Sequence, residues 1–228
     1  MSNSLKLQLV AAATVLVVAT ANAADNDTTL ITQLNRTDEI ATGGTQSVVV
    51  DRIAKDFSAF SGSADDAKSL VVGLRDGSPI TLDATTITPP TGKMGIGNVF
   101  ISLALAQQEL AAAGIKSPTP IQIQAALTGG TITGADGKTV QLQGILTQRA
   151  AGMGWGQIAN SMGIKLGRLV SAIRSGNEHL ADAVRHERAE RAEKTEHPDR
   201  VEKTERPDKV DRPEKPQRPD RPERPGKG

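Results

Sequence analysis

Four sets of side chains in this sequence have the types and spacing to do chemistry. His179, Asp182 and His186 stand at i, i+3 and i+7, so a helix would align them on one narrow face, with Glu190 a turn further on. Imidazole and carboxylate donors at that spacing can hold a divalent metal between them. Lys165, Arg168, Ser171 and Arg174 form the second set, which the third helix of a helix-turn-helix would present to a nucleic-acid groove. Trp155 lies between Gly154 and Gly156, where glycines permit close approach and an indole can stack on a sugar or peptide. Asp65 and Asp66 are adjacent carboxylates.

The elements that must position these residues limit what each can do. Ile145 to Arg174 reads as helix, glycine turn, short helix, glycine turn, helix. Ile145, Leu146 and Arg149 belong to the first helix, ended by Gly152, and Trp155 to Ala159 opens the second, which breaks at Gly163. Leu166 to Arg174 forms the third, with Leu169 and Ala172 expected to face inward. Tri-helical packing needs these small and apolar residues whether or not it binds DNA. The few cations, with no flanking basic arm, make too few phosphate contacts for useful affinity at physiological salt. A packing centre is therefore expected rather than a nucleic-acid reader, which stays as the alternative. Trp155 is the chain's one Trp, and the expectation is a core plug. If it is exposed, Trp155, Lys165, Arg168 and Arg174 are the candidate partner surface.

A helix continuing from Asn177 to about Lys194 has only Leu180 and Val184 as clear apolar anchors. Little fixes the His179, Asp182 and His186 face or orients its imidazoles. A solvated polar face is expected, so no metal and no other cofactor is assigned, and divalent-metal binding stays as a further alternative. Asp65 and Asp66 follow Ser63, a helix cap, and first-turn carboxylates suit a helix N-terminus. Before His179 the chain has no His, and nothing groups a nucleophile with a base. The expectation is no enzyme.

Composition narrows the class further. The 228 residues carry 27 Lys and Arg against 26 Asp and Glu, so no basic field marks a polyanion partner. The absence of Cys excludes disulfides, thiol catalysis and thiolate metal sites. Three Phe, one Trp and no Tyr leave a core of Val, Ile, Leu, Met and Ala, which favours small helices at close approach.

Met1 to Ala23 has the parts of a secretory signal: Lys6, an apolar run from Leu9 to Val18, and Ala21-Asn22-Ala23 for a signal peptidase. The apolar run is well short of the ~20 residues a spanning helix needs. Cleavage after Ala23 would release a periplasmic or secreted protein with no membrane anchor.

Two folded parts follow, residues 24–92 and 93–176. In the first, Val49, Ile53, Phe57 and Phe60 take helical spacing over Thr45 to Phe60, and Ala67, Leu70, Val71 and Leu74 do so over Ser63 to Asp76. Ser78 to Leu82 and Thr85 to Thr88 read as short strands before the Pro89-Pro90 break. The second part has a helix from Asn98 to Ala113, then a helix opened by Thr119-Pro120 and closed by Gly129-Gly130. Thr131 to Leu142 alternates around Asp136-Gly137 as a hairpin. The short strands are expected to join in one small antiparallel sheet. The fold class is α+β and mainly α: a small helical domain with a helix-turn-helix-like segment.

Gly152 to Ala159, GMGWGQIA, followed by Met162 to Gly167, MGIKLG, resembles a segment of uncharacterised secreted bacterial proteins. Thr119 to Leu127, with the two glycines after it, is similar to the same group. The resemblance covers about residues 45–174 and implies export and a shared fold, with no activity or site residues to carry over.

After the charged helix of residues 177–194, residues 195–228 are low in complexity. KTEHPDRVE repeats as KTERPDKVD, and Pro213, Pro216, Pro219, Pro222 and Pro225 recur at every third residue. Polyproline II has three residues per turn, so these prolines line one edge of an extended, disordered tail. The expected protein is an exported, non-catalytic interaction module with a spacer tail, its partner an unidentified envelope protein or cell-wall component.

Overall fold

The computed structural model of the chain describes residues 14–196. Met1 to Ala13, the first part of the expected export signal, His197 and most of the proline-and-charge repeats lie outside the described residues. Residues up to Glu190 form one compact unit and those from Arg191 a second.

Helices begin where the capping residues place them. Thr45 precedes α2 (Gln46–Ser61), its Oγ1 accepting from the Val48 N–H. Ser63 precedes α3 (Ala64–Asp76), and its Oγ accepts from the Asp66 N–H while donating to the Asp66 carboxylate. Asp65 and Asp66 are thus first-turn charges, with Asp66 part of the cap. A capping box of Thr119 and Gln122 opens α5 (Pro120–Thr128).

The long helix α1 (Thr14–Thr42) lies where the sequence shows no clear amphipathic pattern. Its inward stripe is Leu30, Leu34 and Thr37, with a polar residue at the third position and Ile31 turned outward. Its place comes from packing on α4 (Ile96–Ala112). There Gly97 lets the helices close: a Cβ would stand 2.5 Å from the Leu34 carbonyl oxygen. Asp38 accepts from the Gly97 N–H at 2.9 Å and caps α4 from a neighbouring helix.

α4 is the centre of the core. Ile96 to Ala106 is buried at ten of its eleven positions, all but Asn98, so this helix is nearly apolar all round. Helices α1, α2, α3, α5 and α6 (Ile145–Ala150) pack on it. Each Leu or Ile fully buried there stabilises by about 1.5–3 kcal/mol. Phe57 of α2 meets Phe100 edge-on, ring centroids 5.2 Å apart.

The strands do not join in one sheet. β1 (Ile80–Leu82) pairs with β2 (Thr85–Ile87), and β3 (Gly130–Thr133) pairs with β4 (Thr139–Leu142), as separate antiparallel hairpins among the described residues. α5 packs on both β2 and β3, and Gln124 Nε2 donates to the Thr86 carbonyl at 2.7 Å. A helix side chain therefore caps the edge that a common sheet would have used.

The third helix of the tri-helical segment also differs from expectation. α8 (Leu166–Glu196) follows α7 (Trp155–Ser161) and runs without a break past Arg174. Ile173 points inward and Ala172 outward. Gly176 sits against the Phe100 ring, and the buried Asn177 accepts from Thr37 Oγ1 at 2.6 Å and donates to the Gln33 carbonyl at 3.1 Å. This α1–α8 bond set pins the helix where the sequence shows only Leu180 and Val184 as apolar anchors.

Candidate functional site

The tri-helical segment has two faces, and the open cavity lies under the one that meets α4 and β4. Trp155 is not a ligand platform: its ring is 6% exposed, and Nε1 donates to Asn98 Oδ1 on α4 at 2.9 Å. The Arg149 guanidinium lies 5.0 Å from the centre of the same ring and donates to the Met153 carbonyl. An indole in an aromatic-poor chain buries its large apolar area first and satisfies its N–H afterward. Lys165, just before α8, and Arg168 and Arg174 on it are exposed.

The His179, Asp182 and His186 set is not brought to one point. His179 Nδ1 lies 3.7 Å from Asp56 of α2, Asp182 pairs with Arg185, and His186 Nδ1 lies 3.4 Å from Glu190. Among the described residues no three metal-ligating side chains converge. His179 faces Asp56 across from α2 while Asp182 and His186 face partners on α8 itself, and the helix rise separates the three.

A cavity of about 700 Å³ opens between the last turns of α4, strand β4 and the α6–α7 pair. Glu109 of α4 contributes the ionisable group of its wall. Gln143, Gln148 and Ser161 add amide and hydroxyl groups, and Met153 and Met162 add flexible apolar surface. Ser161 donates to the Ile158 carbonyl at 2.8 Å and lies 3.1 Å from Gln148 Oε1, which ties the α6 and α7 walls together. No base stands beside that hydroxyl, and no cation lines the cavity.

Glu109 Oε2 is shielded from solvent and accepts no hydrogen bond from the described residues. Burial raises its carboxyl from the usual 4.5 to about 7. The folded protein therefore holds this proton over a range in which the unfolded chain has released it. The stability contribution is full below pH 4.5, falls as pH rises to about 7, and is constant above that. Glu109→Gln should abolish the decline. Urea unfolding should show the variant gaining roughly 1 kcal/mol over the parent at about pH 8, and nothing at about pH 4, allowing for screening through the open side. An equal difference at both pH values would refute a carboxyl kept neutral by its surroundings.

Sequence reasoning passed over Glu109. Its signal was a single acidic residue on a helix otherwise rich in apolar side chains, which acquires meaning only once β4 and α7 are placed beside it. No known family model matches the sequence, and no curated protein and no solved structure is significantly similar to it.

Proposed function

We propose that this protein is an exported, non-catalytic binding module that receives an envelope protein or a cell-wall component in the cleft beneath its tri-helical segment. One observation carries the reading: the half-buried Glu109 carboxyl stands in the wall of an open cavity with amide, hydroxyl and thioether neighbours, its Oε2 shielded and without a hydrogen-bond partner. Buried acceptors are normally satisfied, and a carboxyl that meets no donor on its shielded side can take one from a ligand on its cavity side. The cavity wall offers one titratable group and no activated nucleophile, which favours binding over catalysis. Export rests on the Met1 to Ala23 signal and on the likeness of residues 152–167 to segments of secreted bacterial proteins. Among the described residues no helix is long and apolar enough to cross a membrane. The proline-and-charge repeats then act as a spacer.

The test compares the parent protein with Ser161→Trp, which fills the cleft from its exposed rim. After a check that the variant keeps its helical content, both are incubated with isolated cell-wall sacculi and with envelope proteins. Retention should fall at least about tenfold in the variant, a loss of ~1.4 kcal/mol. Equal retention removes the cleft from the function. An intact Met1 on protein from the cytoplasmic fraction removes export.

A further inference from the structure

We propose that the cleft between α4, β4 and α7 takes a ligand bearing a primary ammonium group, seated on the Glu109 carboxylate. The proposal rests on the cleft being the binding site and adds the chemistry of what fills it. Glu109 Oε2 is shielded and has no donor among the described residues. An ammonium on the cavity side of that carboxylate supplies N–H donors and a positive charge, and so offsets the cost of ionising a half-buried group whose shielded oxygen has no donor.

The surroundings favour a cation over the other ligand classes. No Lys, Arg or His lines the cavity, so nothing there balances an anionic ligand. The charged side chains on the neighbouring elements are already engaged. Arg149 of α6 donates to the Met153 carbonyl and covers Trp155, and Lys138 and Asp136 in the β3–β4 turn pair at 3.1 Å. Neither α5 nor α7 carries a charge, and Glu109 is the one charged residue of α4. Gln143 and Gln148 can bond amide or hydroxyl groups next to the ammonium, while Met153 and Met162 adapt to its aliphatic stem. Such an ammonium occurs on lysine side chains of proteins and on cell-wall peptides with a free side-chain amine.

Binding must be coupled to the proton on Glu109. With the carboxyl protonated near pH 5.5, an ammonium can enter only as that proton leaves. Near pH 8 the carboxylate is already formed. An end-blocked peptide with one lysine, and soluble cell-wall fragments with a free side-chain amine, are titrated calorimetrically into the mature full chain, each beside its N-acetylated form. The expected result is binding of an amine form about thirtyfold tighter near pH 8 than near pH 5.5, with about one proton released at the lower pH. Glu109→Gln should lose both the pH dependence and the proton release, and the source whose amine form binds more tightly is the natural one. Binding of acetylated and free forms alike, or tightening at low pH, overturns the ammonium and leaves the cleft standing if Ser161→Trp still abolishes it. Amine binding that Ser161→Trp leaves unchanged overturns the cleft itself. Absence of binding by every probe overturns the ammonium assignment.

Discussion

Replacing Trp155 by Ala should cost about 3–5 kcal/mol of folding stability, the range for removing a large aromatic ring from a packed core. The ring is 6% exposed and wedged between the tri-helical segment and α4. Its loss also removes the Nε1 bond to Asn98, worth about 1 kcal/mol, and the Arg149 contact, worth about 0.5–1 kcal/mol. These losses overlap and do not add fully. A domain of this size has about 5–15 kcal/mol in hand, so the variant sits near the edge of folding. The urea midpoint should fall sharply with little change in slope. A loss below about 1 kcal/mol would show that the indole is not a core plug. A variant that stays stable yet fails to bind in the sacculus assay would return Trp155 to the partner surface.

Gly144→Ala should be nearly as damaging, for a different reason. Gly144 precedes α6 with φ +78°, in the left-handed region that costs an L side chain about 1–2 kcal/mol. A Cβ there would also overlap the Gly129 nitrogen and the Thr128 carbonyl carbon, both backbone atoms that cannot rotate aside. Overpacking of that kind costs about 1–3 kcal/mol, for a total of roughly 2–5. Gly137 in the β3–β4 turn has φ +77°, and a Cβ on it would meet nothing within 4 Å, so Gly137→Ala isolates the conformational part. Thermal unfolding should rank Gly144→Ala well below Gly137→Ala. Equal losses would mean that the α5–α6 junction yields freely. Because α6 carries Gln148 into the cavity wall, the Gly144 variant should also weaken binding in the cleft.

Local signals made much of the helical fold legible. Val49, Ile53, Phe57 and Phe60 line the buried face of α2, and Ala67, Leu70, Val71 and Leu74 that of α3. The Asp136-Gly137 turn sets the β3–β4 register from Gly130 opposite Leu142 to Thr133 opposite Thr139. α1 was not legible, because a stripe of Leu30, Leu34 and Thr37 has too little apolar period to stand out from its polar neighbours. The separation of the two hairpins was not legible either, since it depends on Gln124 of α5 reaching the edge of β2. Of the candidate site, the Ile145 to Arg174 segment was visible as a unit, whereas Glu109 was not.

The sequence by itself determined where most helices start and stop, the β3–β4 hairpin turn, and a core without Tyr or Cys, because caps, glycine turns and hydrophobic periods act within a few residues. Tertiary structure alone decided that α1 closes onto α4 at Gly97, that Asn177 bonds α8 to α1, and that the Trp155 N–H is met by Asn98 of α4. It also decided that a carboxyl on the central helix faces an open cavity. Burial and unmet hydrogen bonds are properties of what stands opposite a side chain, and for Glu109 the facing residues of β4, α6 and α7 come far later in the chain.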